Sequence, residues 1–254
     1  MIETLQHKLN SLISYTDEEL AWCLLNIGHP DPEIRDNLIY NTFGYGLEHQ
    51  LISPKQFLQL AQQLQNKRFL KHPDTLTRSF SALLASLLLF CDNLESSPYF
   101  SLLENSRAAL FKEAFDFLKT ESDTRGYDDK QGWIHAIAHG AEFLMATSLH
   151  ETFPQQELHD VWQTTIDLLY KQKSVFSAGE ADRLAFIFIQ LVISEKLEQK
   201  ELAKWISNLS YSEQSPEDYF CSLNIQAFLA KIYLTCEKEE ILKPELKQAI
   251  LTHY

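Results

Sequence analysis

Two histidines four residues apart, His135 and His139, are the side chains here best equipped for chemistry, with Trp133 just before them and Glu142 just after ("GWIHAIAHGAEFL", 132–144). Four-residue spacing puts two imidazoles on one helix face, where they can share a metal ion or bind one ligand. On an α-helix the two would stand roughly 40° apart, with Glu142 returning to within about 20° of His135 and Trp133 about opposite. Asp128 or Asp129 could cap such a helix, running from about residue 130 to 148. The metalloprotease pattern needs glutamate directly after the first histidine, where this chain has Ala136. Three readings stay open: a solvated stripe, a stripe facing a ligand or partner, and a metal or catalytic site. In the last, His135 and His139 are the ligands, completed by Glu142 or a carboxylate from another helix.

The preceding loop adds Asp123, Arg125, Gly126 and Tyr127 ("ESDTRGYDDKQG", 121–132). Arginine offers a bidentate fork to carboxylate or phosphate, and the alternative is an Asp123–Arg125 pair that braces the loop. Glu180 and Arg183, three apart on a later helix, are a further candidate pair.

Other chemistries fail at the motif stage. The chain carries no G-x-G-x-x-G, phosphate-loop or G-x-S-x-G pattern. With 22 Lys and Arg against 35 Asp and Glu, its formal charge is −13. No basic footprint for phosphates builds up, so nucleic acid is not an expected partner. Cys23, Cys91, Cys221 and Cys236 are far apart in apolar runs, as expected of free thiols packed as small hydrophobes.

The elements that position these residues read as helices. Thr16-Asp-Glu-Glu19, Ser53-Pro54-Lys-Gln56, Ser215-Pro216-Glu-Asp218 and Ser177-Ala-Gly-Glu180 have capping-box spacing, and Asp31-Pro32 is a related start. Between such signals, apolar residues recur at three and four, as in Phe57, Leu60, Ala61 and Leu64, or Leu158, Trp162, Ile166 and Leu169. No period-2 strand with a hairpin turn stands out. The pattern predicts an all-α protein of about a dozen helices whose starts recur roughly every 20–28 residues, so that a helix pair takes about 40–50, the helix-pair period of armadillo and HEAT arrays. One domain over 1–254 is expected, with a softer joint near "NLESSPYF" (93–100). The N-terminus lacks signal-peptide design, and the apolar runs at 80–91 and 184–193 are shorter than a bilayer span. A cytoplasmic location without membrane contact is the expectation.

"RSFS" (78–81), "DTRGY" (123–127), "GWIHAIAHGAEFL", "EADRLA" (180–185) and "RDNLIY" (35–40) together resemble a bacterial family known as domain of unknown function 2785. The resemblance implies an all-α, armadillo-like architecture and groups Asp123, Arg125, Trp133, His135 and His139. The family motif often has aspartate where this chain has Glu142, a carboxylate with longer reach. The expected function is binding of a protein or peptide at a polar pocket. Trp133 would wall it, Arg125 would engage an anionic group, and His135 and His139 would exchange hydrogen bonds. The alternative is a small-molecule enzyme, with or without a divalent metal, using His135 and His139, with Asp123 orienting one ring. The sequence names no cofactor and no oligomeric state.

Overall fold

Side-chain caps set five of the helix starts among the described residues. The computed structural model describes residues 1–212 and 214–254. Thr16 opens α2 (Asp17–Leu25) with both halves of a capping box, and Ser53 does the same for α5 (Pro54–Asn66) and Ser215 for α12 (Pro216–Lys238). Asp31 caps α3 (Pro32–Ile34), which continues through a π-helical turn (Arg35–Tyr40) into α4 (Asn41–Glu48). The remaining helices are α1 (Ile2–Leu9), α6 (Thr75–Asn93), α7 (Arg107–Thr120), α8 (Ala136–Leu149), α9 (Leu158–Tyr170), α10 (Glu180–Ile193), α11 (Gln199–Ser207) and α13 (Pro244–Leu251). The all-α expectation holds, with one small exception at the site.

From α6 onward, alternate helices pack side by side: α6 on α8, α8 on α10, α10 on α12. A second row backs them, with α7 against α8 and α9, and α11 against α13. The predicted stripes face inward: Phe57, Leu60, Ala61 and Leu64 of α5 and Leu158, Trp162, Ile166 and Leu169 of α9 are all buried. Each buried Leu, Ile or Phe side chain contributes about 1.5–3 kcal/mol by leaving water, and one cluster of buried residues runs from Leu5 to Ile250.

Helix α6 is longer than its apolar run. Its 19 residues would suffice by length and hydropathy to cross a bilayer, yet 61% of that window is buried against the rest of the fold. Its far end is polar. Asp92, fully buried, accepts from Arg107 Nε (2.7 Å), His150 Nε2 (3.1 Å) and the Leu103 amide (2.7 Å). Burial alone would raise the Asp92 pKa; the His150 and Arg107 hydrogen bonds overcome it and hold the carboxyl below the usual range. His150 is therefore a structural partner of Asp92. This network ties the turn-rich segment 94–106 to α6. Tyr99 stacks on Phe57 (4.7 Å between rings) and donates its hydroxyl to the Ile52 carbonyl at 2.5 Å.

Free thiols follow the expectation except in one detail. Cys23, Cys221 and Cys236 are buried, while Cys91 is half-buried. Burial pushes the Cys23 thiol up to about 12 and the Cys91 thiol to about 11.

Candidate functional site

The helix carrying the histidines starts at Ala136, not near residue 130. Residues 127–133 form a short hairpin instead, with Tyr127 paired to Trp133 and Asp128 to Gly132. The cause is turn chemistry. Asp128 Oδ1 accepts the amides of Lys130 (2.9 Å) and Gln131 (3.0 Å), and Gly132 adopts φ +71°, a conformation that disfavours side chains. A Cβ at Gly132 would also come within 3.0 Å of Pro32.

Arg35, on the π-helical turn, clamps this hairpin from below. Its Nη2 donates to the carbonyls of Gln131 (2.8 Å) and Trp133 (3.2 Å), Nη1 to the His29 carbonyl (3.1 Å), and Nε to Asp36 (2.7 Å). The fully buried guanidinium also lies 4.8 Å from the Phe80 ring centroid.

The hairpin delivers the chain to His135 in a left-handed conformation (φ 47°, ψ 29°) as the N-cap residue of α8. Trp133 consequently stacks on the His135 ring (4.4 Å, 11° between planes) rather than lying opposite it, and Tyr127 meets Trp133 edge-on at 5.0 Å. The amides of Ile134 and His135 both donate to the Gly126 carbonyl, at 2.9 and 3.3 Å. Gly126 must be glycine: a Cβ there would stand 2.1 Å from Ala178 Cβ and 2.4 Å from Glu180 Oε1.

Glu180 is 1% exposed. It does not make the capping box expected with Ser177, because Gly179 (φ +85°) is the N-cap of α10 and Glu180 is its first residue. The side chain folds back so that Oε2 accepts the Ala178 amide at 3.0 Å. Oε1 stands 3.6 Å from His135 Nδ1, beyond hydrogen-bond length, and both atoms are buried without a partner. Burial raises the Glu180 pKa, but His135 and nearby amides outweigh it and hold the carboxyl below its ordinary value. Glu180, not Asp123, is thus the carboxylate beside a site imidazole. Arg183 does not pair with Glu180 either. It donates instead to Glu142 Oε1 at 2.7 Å.

His139 is fixed by α6. Ser79 Oγ donates its single hydrogen to the Ile134 carbonyl (2.6 Å), so at 2.8 Å it accepts from His139 Nδ1–H. That leaves the lone pair on Nε2, which has no hydrogen-bond partner among the described residues. Burial, with smaller contributions from His135 and Arg183, pushes the His139 pKa down to about 3, so the ring is neutral. The His135 and His139 rings lie 5.8 Å apart and tilted by 48°. Among the described residues no group of three His, Cys, Asp or Glu side chains is arranged to hold a metal ion.

Both histidines line a half-open cavity of about 580 Å³ between α6, α8 and α10. Its walls are graded. Leu83, Leu87 and Phe90 of α6 face Met145, Ala146 and Leu149 of α8 to make an apolar floor, while His135, His139, Glu142, Arg183 and Tyr40 gather at one end. Burial, then the Glu142 charge, raises the Tyr40 pKa, against an opposing effect of Arg183.

Of the residues singled out in the sequence, His135, His139, Glu142 and Arg183 therefore share one cavity. Trp133, Tyr127 and Glu180 flank it through His135. Asp123 and Arg125 do not line it: they bind each other in the exposed loop, at 2.9 and 2.6 Å. Just before that loop, Arg78 grips Glu121 with two hydrogen bonds (3.0 and 2.9 Å). Ser79, Arg35, Tyr40 and the apolar floor had gone unassigned. The signals for the first three were "RSFS" and "RDNLIY", which read only as parts of a resemblance, and the α6 part of the floor lay in the apolar run at 80–91.

No curated protein and no solved structure matches the chain. A family described as "Protein of unknown function (DUF2785)" matches residues 69–234, a span from the 3-10 turn just before α6 through most of α12 that takes in the hairpin, both histidines and Glu180. The chain belongs to that family.

Proposed function

We propose that this chain is a protein- or peptide-binding module whose recognition surface is the groove between α6, α8 and α10. The observation that carries the reading is the grading of that groove: an open apolar floor (Leu83, Leu87, Phe90, Met145, Leu149) ending in a polar cluster. Phe90 is 62% exposed, a large cost for an aromatic ring that nothing covers. Helix-in-groove recognition uses this combination of apolar anchors and a polar register mark. The two rows of packed helices support the armadillo- or HEAT-like description, since such stacks present one continuous inner face.

Selection from a displayed library of random short peptides tests the reading. Peptides recovered on the wild type should fail to bind Leu87→Asp and weaken on His139→Ala. Recovered peptides that bind both variants as well as the wild type would reject it.

One observation favours a second reading, a small-molecule enzyme with or without a metal. His135 is held at positive φ beside a buried carboxylate that it does not quite reach, and such strain gathers at catalytic sites. A screen of ester, amide and phosphoester substrates would support it only through turnover that disappears in His135→Gln.

A further inference from the structure

We infer that the segment this groove takes is amphipathic and basic, presenting a lysine, an arginine or an amino terminus to the His139 end while its apolar side chains lie along α6. The inference rests on the groove reading above and adds the charge of the partner.

Among the described residues the polar end carries more carboxylate than unpaired cation: Glu142 and Glu180 stand against Arg183, which is already bonded to Glu142. His139 turns a lone pair to the cavity because Ser79 holds its proton on the far nitrogen. Glu142 contributes a carboxylate, and Glu180 a second, buried behind His135 with one oxygen unpaired. The cations are each already paired with a carboxylate of this chain, Arg183 through Nη1 alone. Arg183 is on Glu142, and Arg35 is fully buried with its donors on Asp36 and three carbonyls. Arg125, the group expected to receive an anion, is on Asp123 outside the cavity. A ligand carboxylate arriving here would meet lone pairs and like charge, whereas an ammonium or guanidinium would meet complementary ones. The formal charge of −13 pulls the same way over longer distances. Along α6, the floor from Leu83 to Phe90 measures roughly 10 Å, room for two or three side chains on one face of a segment.

The test uses the selected peptides. Their sequences should be enriched in Lys or Arg beside the apolar stripe. Two synthetic copies of one peptide, differing only in Lys or Glu at that position, are then titrated by fluorescence anisotropy. The Lys form should bind roughly tenfold more tightly or better, about 1.4 kcal/mol, and added salt should narrow the gap. Glu142→Gln, which releases Arg183, should shrink the preference, with its melting temperature confirming an intact fold. Equal or tighter binding of the Glu form would overturn the inference while the groove reading stands, provided Leu87→Asp still abolishes binding. A Lys preference indifferent to Glu142→Gln would put the basic group elsewhere and also overturn it. Peptides insensitive to Leu87→Asp would reject both.

Discussion

Ser79 decides which nitrogen of His139 carries the proton. Its hydroxyl hydrogen goes to the Ile134 carbonyl at 2.6 Å, so its oxygen can only accept from His139 Nδ1, 2.8 Å away. One residue on α6 thereby sets the hydrogen-bonding character of the cavity on α8. Ser79→Ala should cost about 1–3 kcal/mol, because the Ile134 carbonyl loses its donor and His139 its acceptor in a buried place. Urea denaturation measures this. A loss below a few tenths of a kcal/mol would mean that the hydroxyl holds neither group.

His139 also gives the fold an acid sensitivity with a definite sign. Its pKa falls from 6.5 in the open chain to about 3 in the fold. Above 6.5 both states are neutral there. Below it the unfolded chain binds a proton that the folded chain refuses, so stability drops as pH falls through this window. The ceiling is about 1.4 kcal/mol per pH unit, and the slope will be shallower because part of the ring meets solvent in the cavity. His139→Gln should flatten the stability profile between pH 6.5 and 4.5. Parallel profiles for wild type and variant would contradict the assignment.

Asp92 makes a contribution of the same sign in a lower window. Its depressed carboxyl favours the fold above the ordinary aspartate pKa and is lost as pH falls through the folded value. Removing it leaves Arg107 buried without its anion. Asp92→Ala should therefore destabilise by about 3–5 kcal/mol, and Arg107→Leu in the same chain should recover part of that. Additive losses in thermal melts would show that the two do not act as a pair.

Two glycines distinguish close approach from mere flexibility. Gly126→Ala would drive a methyl into Ala178 and Glu180, so a loss of at least about 1–3 kcal/mol is expected, with a changed His135 environment. Gly44, inside α4, has nothing within 4 Å of an added Cβ. Gly44→Ala should stabilise by roughly 0.5–1 kcal/mol. Differential scanning calorimetry on the two variants separates the cases by sign.

The helices were legible because their signals are local. A cap such as Thr16 needs only Glu19, and a stripe such as Phe57–Leu64 needs only its own period. The hairpin at 127–133 was missed because Asp128 looks the same whether it caps a helix or turns a loop. The choice was made by Gly132 at positive φ and by Arg35, about a hundred residues away, donating to Gln131 and Trp133.

The site was half legible for the same reason. His135, His139 and Glu142 announced themselves within one short stretch, but their partners lie on other helices. Ser79 on α6 and Glu180 on α10 set the two imidazoles, and neither contact leaves a trace in local spacing. Glu180 and Arg183 had the spacing of a pair, yet Glu180 is buried beside His135 and Arg183 bonds Glu142.

The most direct test of the account is the long-range proton–nitrogen spectrum of the histidine rings at pH 7, recorded before and after addition of a Lys-bearing peptide that binds the groove. The account predicts that His139 has its proton on Nδ1 and a bare Nε2, and that the Nε2 resonance moves toward the hydrogen-bonded range when the peptide binds. A proton on Nε2, or a His139 signal unmoved by a bound peptide, would contradict it.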